Sequence, residues 1–138
     1  MSILADFFVS TQEAAASYDP DSRPVSDVAR LGGLIPIHLE LLWAILQGRE
    51  WDTDLMAEFE DLEESESGTS WLVRLPDDLV ARLAQASANE LIDARFEWAA
   101  TEELSCDPSE LIEVVESLRR LSENAMATNR SVFLKGSL

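Results

Sequence analysis

Apolar residues change their rhythm several times along the chain, and each change marks an element. Residues 3–9 carry Phe7, Phe8 and Val9 in a short apolar run and predict a strand. Ser10 and Thr11 can cap a short, alanine-containing helix over residues 11–18, and Asp19-Pro20-Asp21-Ser22 then reads as a turn. Between Arg23 and Leu31, Val25, Asp27, Ala29 and Leu31 alternate with Ser26, Val28 and Arg30. That imperfect period of two predicts a weak second strand before Gly32-Gly33 breaks it.

The strongest periodicity follows. Pro36 suits the first turn of a helix, Leu39, Leu42, Ile45 and Leu46 recur at helical spacing beside Leu41 and Trp43, and Gly48 fits the residue after the C-cap. Such a largely apolar circumference places this helix near the centre of the fold. Beyond Trp51, the spacing of Leu55, Phe59 and Leu62, with Met56 beside them, predicts an amphipathic helix. Residues 63–69 read as an exposed acidic loop, and residues 71–75 as a strand stopped by Pro76.

Three helices are predicted next. Asp77 or Asp78 opens the first, with Leu79, Val80 and Leu83 as its apolar positions. Ser87 and Glu90 make a capping-box pattern ahead of Leu91, Ile92, Phe96 and Trp98. Asp107-Pro108-Ser109-Glu110 repeats that signature and launches a stripe of Leu111, Val114, Val115, Leu118, Leu121 and Met126, ended by Asn129 or Arg130. Val132, Phe133 and Leu134 predict a last strand. With no internal repeat and no linker, residues 1–138 read as one domain. The fold class expected is α+β, a small sheet of about three or four short strands packed by about five to six helices. The competing architecture is all-α, with the short apolar runs as core-filling loops.

Size and charge change the picture in different ways. A chain of 138 residues buries about two thirds of its unfolded surface, so it needs neither disulfide nor metal to fold. Its 27 Asp and Glu against 10 Lys and Arg give a net charge of −17. That field repels nucleic-acid phosphates and anionic headgroups, so direct nucleic-acid or membrane binding is not expected. The single Cys106 cannot form an internal bridge. Asp6 interrupts the first apolar stretch and no basic n-region precedes it, so no signal peptide is read and a cytoplasmic location is expected.

Most catalytic chemistries find no support. His38 and Cys106 cannot furnish a zinc set, and Asp52-Thr53-Asp54 fails as a calcium loop because Met56 and Ala57 stand where an oxygen ligand and a glycine belong. His38 reads as a core-edge histidine with one hydrogen-bonded nitrogen, although spacing leaves a Cys106–His38 pair open. No nucleophile elbow and no phosphate-cradling glycine loop is present. No metal, cofactor or catalytic residue is assigned.

What remains is the acidic stretch. Glu50, Asp52, Asp54, Glu58, Glu60, Asp61, Glu63, Glu64 and Glu66 fall within 17 residues that contain no cation. Trp51 stands at their entrance, as aromatic anchors ringed by polar groups do at binding hot spots. The residues expected to meet a basic protein partner are Trp51, Asp52, Asp54, Glu58, Asp61, Glu63, Glu64 and Glu66. In composition alone the chain resembles bacterial immunity proteins and DNA mimics, which implies a non-catalytic module covering a basic site; no motif carries the likeness further. The alternatives are a small-molecule enzyme using paired carboxylates, and a domain whose acidity serves solubility.

Overall fold

The structure, a computed structural model, describes residues 3–18, 28–64 and 67–137. Five strands, Leu4–Ser10 (β1), Val28–Arg30 (β2), Glu60–Glu64 (β3), Ser70–Arg74 (β4) and Ser131–Ser137 (β5), make one antiparallel sheet in the order β2-β1-β5-β4-β3. The helices are Gln12–Ala15 (α1), Pro36–Gln47 (α2), Thr53–Met56 (α3), Asp77–Gln85 (α4), Ala88–Ala99 (α5) and Ile112–Thr128 (α6), with a 3-10 turn over Pro108–Leu111. This is an α+β domain, with one strand more than the sequence pattern predicts.

The sheet is buried on both faces at its centre. Phe7, Val9, Val132, Leu134 and Val73 point into the main core with Leu39, Leu79, Leu118 and Trp98 from the helices. Phe8, Phe133 and Leu72 point the other way into a second cluster, where Tyr18 stacks on Phe8 with ring centroids 4.0 Å apart. Burial on two sides explains why β1 is a continuous apolar run and not an alternating one. Trp98 ties α5 to α2 through its indole N–H, which donates to the His38 carbonyl over 2.8 Å. On β4, Trp71 lies over Gly136 of β5, its register partner, and leaves no room there for a Cβ.

Helix ends follow the caps in the sequence. Ser87 and Glu90 bond each other's backbone N–H, while Glu110 accepts from the Asp107 N–H and Asp107 accepts from the Ser109 N–H. Gly48 (φ 63°) and Asn129 (φ 53°) close α2 and α6 in the left-handed conformation. No helix among the described residues is long and apolar enough to cross a membrane.

Two expectations need correction. The amphipathic helix predicted through Leu62 stops at Met56, and residues 60–64 form β3, so the acidic loop expected from residue 63 begins as strand. A continuous helix would aim Leu55, Phe59 and Leu62 at one core. Instead Leu55 and Phe59 join the main core while Leu62 packs into the second cluster, on the opposite face of the sheet. The open edge of β4 decides this: β3 pairs along it, with a bulge between Asp61 and Glu63. The predicted second strand shortens to Val28–Arg30 among the described residues. The predicted turn at residues 19–22 and the first part of that strand lie outside them, as does Glu66.

Candidate functional site: an acidic cleft beside the sheet edge

The cleft is assembled from Glu58 just before β3, Glu60 at its start, Arg74 at the end of β4, and the start of α4. Asp52 caps α3, its Oδ1 accepting from the Leu55 N–H at 2.8 Å. That bond, followed by Arg49, holds the Asp52 carboxyl below the usual carboxylate range. Arg49 is shared: its guanidinium lies 3.4 Å from Asp52 and 2.8 Å from Glu58. The second oxygen of Glu58 accepts from the Trp43 indole N–H at 3.2 Å. One cation and one buried tryptophan thus fix the Glu58 carboxylate, which lines the cleft.

Beyond it opens a concavity of about 450 Å³ lined by Glu58, Glu60, Arg74, Leu75, Pro76, Asp77 and Asp78. Four carboxylate residues and one arginine therefore line it. Arg74 bonds Asp77 at 2.8 Å and approaches Glu60 to 3.8 Å, and it donates to Gln12 Oε1 at 3.1 Å. Gln12 in turn donates to Glu60 at 3.3 Å, so α1 holds the far wall. Asp77 and Asp78 occupy the first turn of α4, where the unpaired N–H groups favour negative charge. Asp78 has no ion-pair partner among the described residues.

Only part of the predicted set converges on this cleft. Asp52 and Glu58 meet on Arg49, and Glu58 lines the cavity. Asp54 is exposed on α3 without an ion-pair partner among the described residues. Asp61 shares the sheet face of Val73, its register partner, and raises the pKa of Glu40 on α2. Glu63 lies 4.0 Å from Lys135, and Glu64 is placed here only by its main chain in β3. Trp51 sits apart, 39% exposed, in a separate shallow hollow with Arg49, Glu50 and Glu97. Its indole N–H donates to Glu40 at 2.9 Å. Burial pushes the Glu40 carboxyl above its ordinary pKa, while the Trp51 bond pulls it back.

Sequence reasoning passed over Asp77 and Asp78 as a mere helix start, and Arg74 as the end of a strand. The signal available was the Arg74–Asp77 spacing of three beside a proline, which becomes meaningful once β3 is known to pair with β4. The other chemical candidates are occupied. His38 is buried, and its Nδ1 accepts from the Ile35 N–H at 3.0 Å. One ring nitrogen is thereby used, as expected of a core-edge histidine, and burial lowers the imidazole pKa. Burial, followed by Glu110 and Asp107, pushes the Cys106 thiol up, which opposes a thiolate. Among the described residues no group of three or more His, Cys, Asp or Glu side chains is placed to hold a metal ion. Comparison of the chain with protein-family models, with curated proteins and with solved structures finds no match.

Proposed function

We propose that this protein is a non-catalytic acidic module of the cytoplasm that covers a basic site on a protein partner, in the manner of an immunity protein or a DNA mimic. The observation that carries the reading is the cleft, in which Glu58, Glu60, Asp77 and Asp78 line about 450 Å³ together with Arg74 as the one basic residue. A partner's lysine or arginine entering there exchanges hydration for several carboxylate acceptors, and the surrounding field speeds its arrival. Engagement of the buried His38 Nδ1 and the raised Cys106 thiol support the non-catalytic half of the reading.

A tetra-arginine peptide tests it. Titrated against the protein while backbone amide resonances are followed, it should shift residues 58–60 and 74–78 first. Glu60→Gln combined with Asp78→Asn should weaken binding by at least about fivefold, a loss of roughly 1 kcal/mol. Glu102→Gln combined with Glu113→Gln removes the same charge elsewhere and should change affinity by less than about twofold. Equal losses from both pairs would mean that the charge acts only as a diffuse cloud, and the cleft would have no special role.

A further inference from the structure

We infer that the outer face of α5 and α6 is a self-complementary surface through which two copies of this chain pair about a two-fold axis. Apolar groups gather in the open on this face. Ile92 and Phe96, one turn apart on α5, are 44% and 54% exposed, and Ile112 on α6 is 41% exposed. Between the helices runs a groove of about 250 Å³ with Leu91 and Val115 among its lining residues. That volume is below what a typical small-molecule site offers and matches one large side chain. Phe96 is such a side chain, and it stands beside the groove and not in it. Exposed knob and vacant hole on one surface are the geometry that a two-fold contact satisfies twice.

The charges point to the same occupant. Arg95 and Arg119 line the groove, and the Arg95 Nε is shut off from solvent without a hydrogen-bond acceptor among the described residues. Arg119 has Glu123 at 3.1 Å as an ion pair. Arg95 has no carboxylate partner among the described residues, although the chain holds 27 acidic residues. Its guanidinium instead lies 5.5 Å from the centre of the Phe96 ring. Glu116 lines the same groove. In a two-fold contact Arg95 of one copy meets Glu116 of the other, and the reciprocal pair forms by symmetry. The charged lining of the groove itself, Arg95, Glu116 and Arg119, lacks the acidic excess of a molecule of net charge −17. Elsewhere, two such bodies repel. The pairing is independent of the acidic cleft, with which the groove shares no lining residue.

Sedimentation velocity on the full chain tests the inference. At about 0.3 M sodium chloride, which shortens the range of the mutual repulsion to roughly 6 Å, the protein should pass from monomer to dimer between about 5 and about 500 μM. Lower salt should shift the transition to higher concentration. Phe96→Asp or Ile92→Asp should abolish the dimer, and both sites are exposed enough that the variants fold, as a thermal melt will verify. Arg95→Glu and Glu116→Arg should each weaken dimerisation by at least about tenfold, and the double variant should recover to within about threefold of the parent. A monomer across the whole range overturns the inference. So does a dimer indifferent to Phe96→Asp, or a charge exchange in which the double variant fails to recover.

Discussion

β3 and β5 both pair antiparallel with β4, one on each side, yet they are built from opposite materials. β5, Ser131–Ser137, keeps one register over five residues of β4 and buries Val132, Phe133 and Leu134 on alternate faces. β3, Glu60–Glu64, has four carboxylate residues in five positions, slips by a bulge and buries little. The difference shows what each flank of β4 is for. The central flank is closed by packing and tolerates no change of volume. The outer flank is held by backbone pairing and by the reach of Arg74 to Glu60, and its charges discourage another strand from adding to the edge.

Gly136 gives the sharpest way to break the central flank. A Cβ at this position would lie 2.2 Å from Nε1 and 2.4 Å from Cε2 of Trp71. Those atoms belong to a rigid ring packed against the main core, so the indole must be displaced. Gly136→Ala is expected to cost about 3 kcal/mol, a fall in melting temperature of roughly 10 °C. Trp71→Ala in the same chain removes the clash, so the double variant should be more stable than the sum of the two losses predicts. Strict additivity would show that the close approach of indole and glycine is relieved without strain.

The same contrast decides what could be read in advance. β1 was legible because burial on both faces leaves a bare apolar run, and α2 because Pro36 and Gly48 frame its periodicity. The capping boxes at Ser87–Glu90 and Asp107–Glu110 identify their turns through local bonds that need no partner. β3 was not legible, because Glu and Asp disfavour strands and the 55, 59, 62 spacing imitates a helix. Its conformation is imposed by the open edge of β4, which is tertiary information. The site divides along the same line. An excess of acid around residues 50–66 is plain in the sequence, whereas the convergence of Glu58 and Glu60 with Asp77 and Asp78 depends on that strand pairing.

Glu40 probes how far the acidic edge reaches into the packed helices. It is 6% exposed on α2, and burial raises its pKa, with Asp61 of β3 adding to the rise. A carboxyl whose folded pKa lies above its unfolded value favours the native state below the unfolded pKa, near 4.5. That advantage disappears as pH climbs through the raised folded value. Glu40 in its charged form is therefore unfavourable at neutral pH, while Gln keeps an oxygen for the Trp51 indole. Glu40→Gln should raise the melting temperature at pH 7 by about 2–4 °C and leave it unchanged near pH 4. A fall at pH 7 would mean that the Trp51 bond to an ionised carboxylate outweighs the burial.

The smallest effect concerns the outer flank as a whole. Its ion pairs are few and shared: Arg49 serves Asp52 and Glu58, Arg74 serves Asp77 and Glu60, and Lys135 stands 4.0 Å from Glu63. Asp54 and Asp61 have no such partner among the described residues, and the molecule carries a net −17. Added salt weakens both attractions and repulsions, but exposed pairs of this kind contribute little, while the uncompensated carboxylates repel across the whole edge. Raising sodium chloride from near zero to about 0.1 M, where screening acts over roughly 10 Å, should therefore increase the melting temperature by about 2–3 °C. The gain should shrink in a variant lacking Asp54 and Asp61 charges and should persist in Gly136→Ala, because the central flank owes its stability to packing. A melting temperature that stays flat or falls with salt would show that the shared arginines, and not the repulsion, govern the edge.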